Sequence, residues 1–132
     1  MIKVAVVGTR PPSVTDGDAR YKWFEYDCII ADVKRFIESL KDQDWQLITG
    51  GAAGVDSVAA SCCGHQPIIH LPDYKKHGAT APLVRNTKII LEAFEVHAWP
   101  SSWSKGTLDA IRKAREHNKF LTVHEPIKEN SK

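Results

Sequence analysis

The sequence predicts an α/β chain: a doubly wound, five-stranded parallel sheet in the order 3-2-1-4-5 with helices on both faces. Three observations carry this. Short apolar runs rich in β-branched residues recur along the chain, and the first, Ile2 to Val7, lacks the polar alternation of a half-exposed strand. Between the runs, apolar residues recur at helical spacing. The stretch Leu47-Ile48-Thr49-Gly50-Gly51-Ala52-Ala53-Gly54-Val55-Asp56 passes from a buried strand through a glycine turn straight into a helix.

Taken in order, Ile2 to Val7 is the first strand and Gly8-Thr9-Arg10-Pro11-Pro12 ends it. The polar stretch to Arg20 reads as a long loop, so Arg10 at its base and Asp16 and Asp18 within it are candidates for function. From about Trp23 to Lys41, Ile29, Val33, Phe36, Ile37 and Leu40 form one face of a helix. Trp45 to Thr49 is the second strand. The helix after the glycine turn places Val55, Val58, Ala59 and Cys62 on its core face and ends at Gly64. Pro67 to Leu71 is a short third strand, and Asp73 to Pro82 reads as a loop. In the next helix Leu83, Thr87, Ile90, Leu91 and Phe94 share a face, with Arg85 and Asn86 in the first turn. Glu95 to Trp99 is the fourth strand, and a polar turn from Pro100 to Thr107 leads into a helix with Leu108, Ile111 and Ala114 facing inward. Phe120 to Val123 is the last strand, so one domain spans 1–124 and a polar tail 125–132.

At 132 residues and 42% hydrophobic content the chain suits one core. Eighteen basic against 16 acidic residues give no broad positive field for long nucleic acid, and a small anion is the easier partner. The apolar start is too short for a membrane span and lacks a signal-peptide pattern, so no membrane partner is expected and the cytoplasm is the expected compartment. Cys28, Cys62 and Cys63 are poor material for a disulfide framework. Cys62-Cys63-Gly64-His65 lacks a second ligand pair, and no metal site or cofactor is expected.

In the expected strand order a crevice opens at the carboxyl ends of strands one and four. Gly8-Thr9-Arg10, the turn at Gly50, Gly51, Ala52 and Gly54, and the turn from Trp99 to Thr107 would line it. Two glycine-bearing turns that feed helix N-termini can cradle phosphate. Ser104 and Thr107 read either as hydroxyl donors to a ligand or as helix caps. Arg10 and Arg85, with Asn86 beside the latter, can grip a phosphate. Asp56 either holds a sugar hydroxyl or closes the glycine turn. Trp99 and Trp103 either stack on a base or roof the loop. A P-loop and the dinucleotide pyrophosphate fingerprint are both missing.

Val-Gly-Thr-Arg at 7–10, Thr-Gly-Gly-Ala-Ala-Gly-Val-Asp at 49–56, Arg85-Asn86 and Ser104-Lys105-Gly106-Thr107 resemble the SLOG superfamily of Rossmann-like proteins over residues 2 to about 123. That superfamily joins the DNA-processing protein A family, the Lonely Guy phosphoribohydrolases and nucleotide-ligand sensor domains. The resemblance implies a nucleotide or nucleotide-derived ligand with phosphate on Gly50, Gly51, Gly106 and Thr107. Lonely Guy enzymes carry a catalytic glutamate three residues after the threonine; here that position is Ala110, and Asp109 lies one place early, about 100° around the helix. A sensing or sequestering module therefore suits the chain best. The alternatives are cleavage or transfer of an N-glycosidic bond, with Asp109 or Asp56 as catalytic carboxylate, and single-stranded nucleic-acid binding. The Trp103 region and the Leu83 helix read as a lid or as the interface of a homo-oligomer.

Overall fold

A computed structural model describes residues 1–13 and 19–126. Asp16, Asp18 and the tail beyond 126 lie outside the described residues. The elements run β1 (Ile2–Gly8), α1 (Ala19–Ser39), β2 (Trp45–Thr49), α2 (Val55–Cys62), β3 (Ile68–Ile69), α3 (Tyr74–His77), α4 (Ala81–Glu92), β4 (Glu95–Trp99), α5 (Gly106–Glu116) and β5 (Phe120–Val123). The sheet order is β3-β2-β1-β4-β5 and every pairing is parallel, as the sequence predicts. β1 sits in the middle, in register with β2 (Val4 opposite Leu47) and with β4 (Gly8 opposite Trp99).

Alternation along β1 divides the core in two. Val4 and Val6 point to one face, where Ile29, Val33 and Ile37 of α1 and Val55 and Ala59 of α2 cover them. Ala5 and Val7 point to the other, against Ile89 and Ile90 of α4 and Ala110, Ile111 and Ala114 of α5. Small residues, Ala5, Ala98, Ala110 and Ala114, make up much of this second face. Among the described residues no helix is long and apolar enough to cross a membrane.

Several sequence expectations need correction. α1 begins at Ala19, ahead of Trp23, because its exposed first turn carries no apolar repeat. The third strand is only Ile68–Ile69, and the supposed loop after it holds α3 and a 3-10 turn at Gly78–Thr80. On α5 the buried stripe is Thr107, Ala110, Ile111 and Ala114, so Leu108, one residue away from Thr107, is 56% exposed. On α4 the stripe is Ala81, Arg85, Asn86, Ile89 and Ile90; Leu83, Leu91 and Phe94 face outward. Cys62 is exposed, and Cys63 packs on the core in its place.

Trp99 is also a correction: it is fully buried and out of reach of a base. Its indole N–H donates to Asp32 Oδ2 at 2.9 Å, and its ring stacks on His124 with centroids 4.1 Å apart. His97 Nδ1 lies 2.9 Å from His124 Nε2, and Phe36 of α1 packs on both imidazoles. Burial holds the His97 imidazole below its ordinary 6.5, against the pull of Glu95. Burial and the His97 charge do the same to His124, against Asp32. Depressed folded values mean that this cluster's stability is complete above 6.5 and is lost as pH falls through the lower folded values. The difference in urea midpoint between wild type and His124→Phe should therefore change between about pH 7.5 and about pH 5, in the direction of relative loss for wild type. A pH-independent difference would remove the cluster from the acid response.

Candidate functional site

The site is built where three chain segments meet at the carboxyl ends of β1, β2 and β4. Gly8 ends β1 because a Cβ there would lie 2.7 Å from the Val55 side chain, so only glycine lets α2 start against the strand. Thr9 is buried and serves as a cross-tie: its hydroxyl donates to the Arg10 carbonyl at 2.8 Å and shares a 2.6 Å hydrogen bond with Ser101. Its carbonyl accepts the Val55 N–H at the start of α2. Trp103 fastens the same two loops, donating its indole N–H to the Arg10 carbonyl at 2.8 Å. The turn after β4 is thereby held against the end of β1.

The glycine turn is closed from within. Ala52 donates its N–H to Asp56 Oδ2 at 3.3 Å, and Arg85 Nη1 donates to the Gly50 carbonyl at 2.5 Å. A Cβ at Gly50 would approach both Arg85 and Asp56 to within 3 Å. Gly51, at φ 74°, turns away toward Ile69 and Leu71. Gly50 and Gly51 thus shape the turn, and neither lines the cleft.

The cleft itself holds about 100 Å³ and is lined by Gly8, Arg10, Ala52, Asp56, Arg85, Asn86, Ser104, Gly106 and Thr107 among others. The candidates from all three turns are brought together there. Arg85 opens the second turn of α4, which starts at Ala81. Its Nε donates to Asn86 Oδ1 at 3.0 Å, and Asn86 Nδ2 donates to Asp109 Oδ2 at 3.1 Å. The chain Asp109–Asn86–Arg85–Gly50 ties α5, α4 and the turn into one unit and fixes the guanidinium. Asp109 does not line the cleft. Burial pushes its carboxyl up, but hydrogen bonds from Asn86, Lys113 and Arg112 outweigh that and hold it below its ordinary value. It is a spent acceptor, which is a poor state for a catalytic carboxylate.

Two buried polar atoms in this cleft lack a hydrogen-bond partner among the described residues: Asp56 Oδ1 and Thr107 Oγ1. α5 has no side-chain cap, so the reading of Thr107 and Ser104 as caps is not what the structure holds. Burial pushes Asp56 up to about 6, against the Ala52 N–H, the Arg85 charge, the Gly50 N–H and the Thr49 hydroxyl. Burial also lowers Arg85, with Asp56 pulling it up and the like charge of Arg10 pushing it further down. Two guanidiniums thus share a small cleft with one weakly acidic carboxyl. Buried partnerless polar atoms carry a penalty of about 1–3 kcal/mol each, and sites for ligands are where such atoms persist. The structure adds Asp109–Asn86 as a support that sequence spacing did not reveal, because a contact between two helices at a separation of 23 residues leaves no periodic pattern in the chain. Among the described residues no group of three or more His, Cys, Asp or Glu is placed to hold a metal.

No family model matches the chain, and no curated protein matches it. Solved structures do. DNA processing protein A from Helicobacter pylori, described for its single-stranded DNA binding mode, superposes with a TM-score of 0.63 at 20% identity, over 92% of this chain and 64% of that one. The structural-genomics target TM1055 superposes with a TM-score of 0.62 at 20% identity, over 92% of this chain and 72% of that one. The chain thus spans just under two thirds of the DNA processing protein. With the parallel order β3-β2-β1-β4-β5, these likenesses give the chain a Rossmann-like fold of the DNA-processing-protein-A type, the fold that the SLOG resemblance implies.

Proposed function

We propose that the chain binds a nucleotide or nucleotide-derived ligand at this cleft, as a sensing or sequestering module, with a phosphate held by Arg10, Arg85 and the N-terminus of α5. What supports the reading is one observation: two guanidiniums and an uncapped helix N-terminus converge on a cleft whose Thr107 hydroxyl has no partner. An anion relieves the repulsion between Arg10 and Arg85 and accepts from Thr107. Titration calorimetry against mono-, di- and cyclic nucleotides and ADP-ribose derivatives tests this. Saturable heat is expected with phosphate-bearing members, and none with the matching nucleosides. Absence of heat with every member overturns the reading.

Arg85→Gln removes the charge but keeps a polar side chain, and should weaken binding about tenfold or more. Equal affinity in the variant would take Arg85 out of the site. An N-glycosidic cleavage would have to rest on Asp56, since Asp109 is engaged elsewhere. Base release from nucleoside monophosphates that Asp56→Asn abolishes would favour that alternative. The fold neighbour's single-stranded DNA binding motivates the other alternative, for which affinity should fall steeply with salt.

A further inference from the structure

Asp56 is an odd companion for an anion. It is 6% exposed and its Oδ2 accepts the Ala52 N–H; the Gly50 N–H and the Thr49 hydroxyl also face the carboxyl, yet among the described residues Oδ1 is a buried oxygen without a hydrogen bond, on a residue that lines the same small cleft as the unpartnered Thr107. The charged groups around it are Arg85 from α4 and Arg10 from the end of β1; α5 contributes the neutral Thr107, with Asp109 turned to Asn86, Arg112 and Lys113. Asp56 and Thr107 line the same cleft of about 100 Å³ together with Arg10 and Arg85, so an oxyanion held there by the two guanidiniums and the Thr107 hydroxyl shares the space with the Asp56 carboxyl. Two acceptor oxygens facing each other in a buried space repel unless a hydrogen lies between them.

We propose that an oxyanion enters this cleft together with one proton, held between Asp56 Oδ1 and an oxygen of the anion, so that Asp56 makes the site a proton-coupled anion site. The inference rests on the reading of the cleft as a phosphate site and adds the role of its one carboxyl. Thr107, Arg10 and Arg85 donate to the remaining oxygens, and the shared proton completes the shell. The proton comes from solvent when neither partner carries one. An anion that does not titrate near neutrality, such as sulfate, then takes up its proton entirely through Asp56. A phosphate monoester, whose second pKa is about 6, brings its own over part of the range. The empty site's Asp56 already leans this way, since burial raises it. Binding should weaken by up to about tenfold per pH unit above neutrality.

The test uses sulfate and inorganic phosphate as probes. Calorimetric titration near pH 7.5 in buffers of different ionisation enthalpy counts the protons taken up per anion. The expected result is uptake approaching one proton for sulfate in the wild-type chain and none in Asp56→Asn, whose amide donates to the anion directly. Carboxyl-carbon NMR of aspartate-labelled wild-type chain gives a reading that needs no variant: sulfate should shift one buried carboxyl toward its protonated position. Saturable anion binding without proton uptake, or with equal uptake in Asp56→Asn, overturns the inference and leaves the phosphate site standing. Absence of binding by both anions overturns the inference, while the phosphate site itself stands or falls by the nucleotide titrations.

Discussion

Gly54→Ala is expected to destabilise the fold by about 2–5 kcal/mol, enough to leave little folded chain in a domain of ordinary stability. Gly54 precedes α2 at φ 100°, a left-handed value that a Cβ strains. The same Cβ would drive into the Thr9 carbonyl, which accepts the Val55 N–H that starts the helix. No flexible side chain can yield there, because the obstacle is backbone held between Ser101 and Trp103 contacts. Urea unfolding followed by circular dichroism measures the effect. A wild-type midpoint in the variant would show that the turn adapts, and the account of a rigid junction between β1 and α2 would fail.

The second large effect runs the other way. Asp56 is raised from 3.8 to about 6, so between those values the folded chain holds a proton that the unfolded chain has released, and stability falls as pH rises through that window. Below the window the group is neutral in both states. Above it the folded chain carries a buried carboxylate at a cost of about 3 kcal/mol. Asp56→Asn keeps the shape and an acceptor for the Ala52 N–H, and should raise stability by up to about 3 kcal/mol above pH 6, with the gain gone near pH 4. Urea midpoints of the two chains across pH measure it. A variant less stable than wild type at about pH 8 would mean that Asp56 is a structural cap. The histidine cluster titrates in the opposite sense, so the comparison is made between chains at each pH.

The sheet order and the three turns that meet at its carboxyl edge were legible because strands without alternation and glycine turns running into helices are local signals. Register and helix faces on the second half were less so. Of the repeat Leu83, Thr87, Ile90, Leu91 and Phe94, Ile90 is buried as expected, but Leu83, Leu91 and, past the end of α4, Phe94 are exposed, while Arg85 and Asn86 take core-facing positions. Hydrophobic periodicity assumes that polar residues face water, and it fails where buried polar groups satisfy one another, as Arg85, Asn86, Asp109 and the Gly50 carbonyl do. Trp99 misled in the converse way: at the end of a strand beside a polar turn it resembles a stacking platform, but Asp32 of α1 and His124 after β5 complete its burial. Both partners are remote in sequence. The approach of Asp56 and Arg85 to Gly50 from opposite helices was likewise invisible, since it depends on how α2 and α4 sit in space.

The most direct test of the phosphate cleft is amide NMR of the isotope-labelled chain, titrated with a nucleoside 5′-monophosphate. Gly106, Thr107 and Ala52 line the cleft on two different turns and report it independently. Saturable shifts centred on these amides are expected, with Arg85 and Arg10 side-chain signals moving in step. Saturable shifts confined to another face, with these amides unmoved, would contradict the reading of this cleft as a phosphate site.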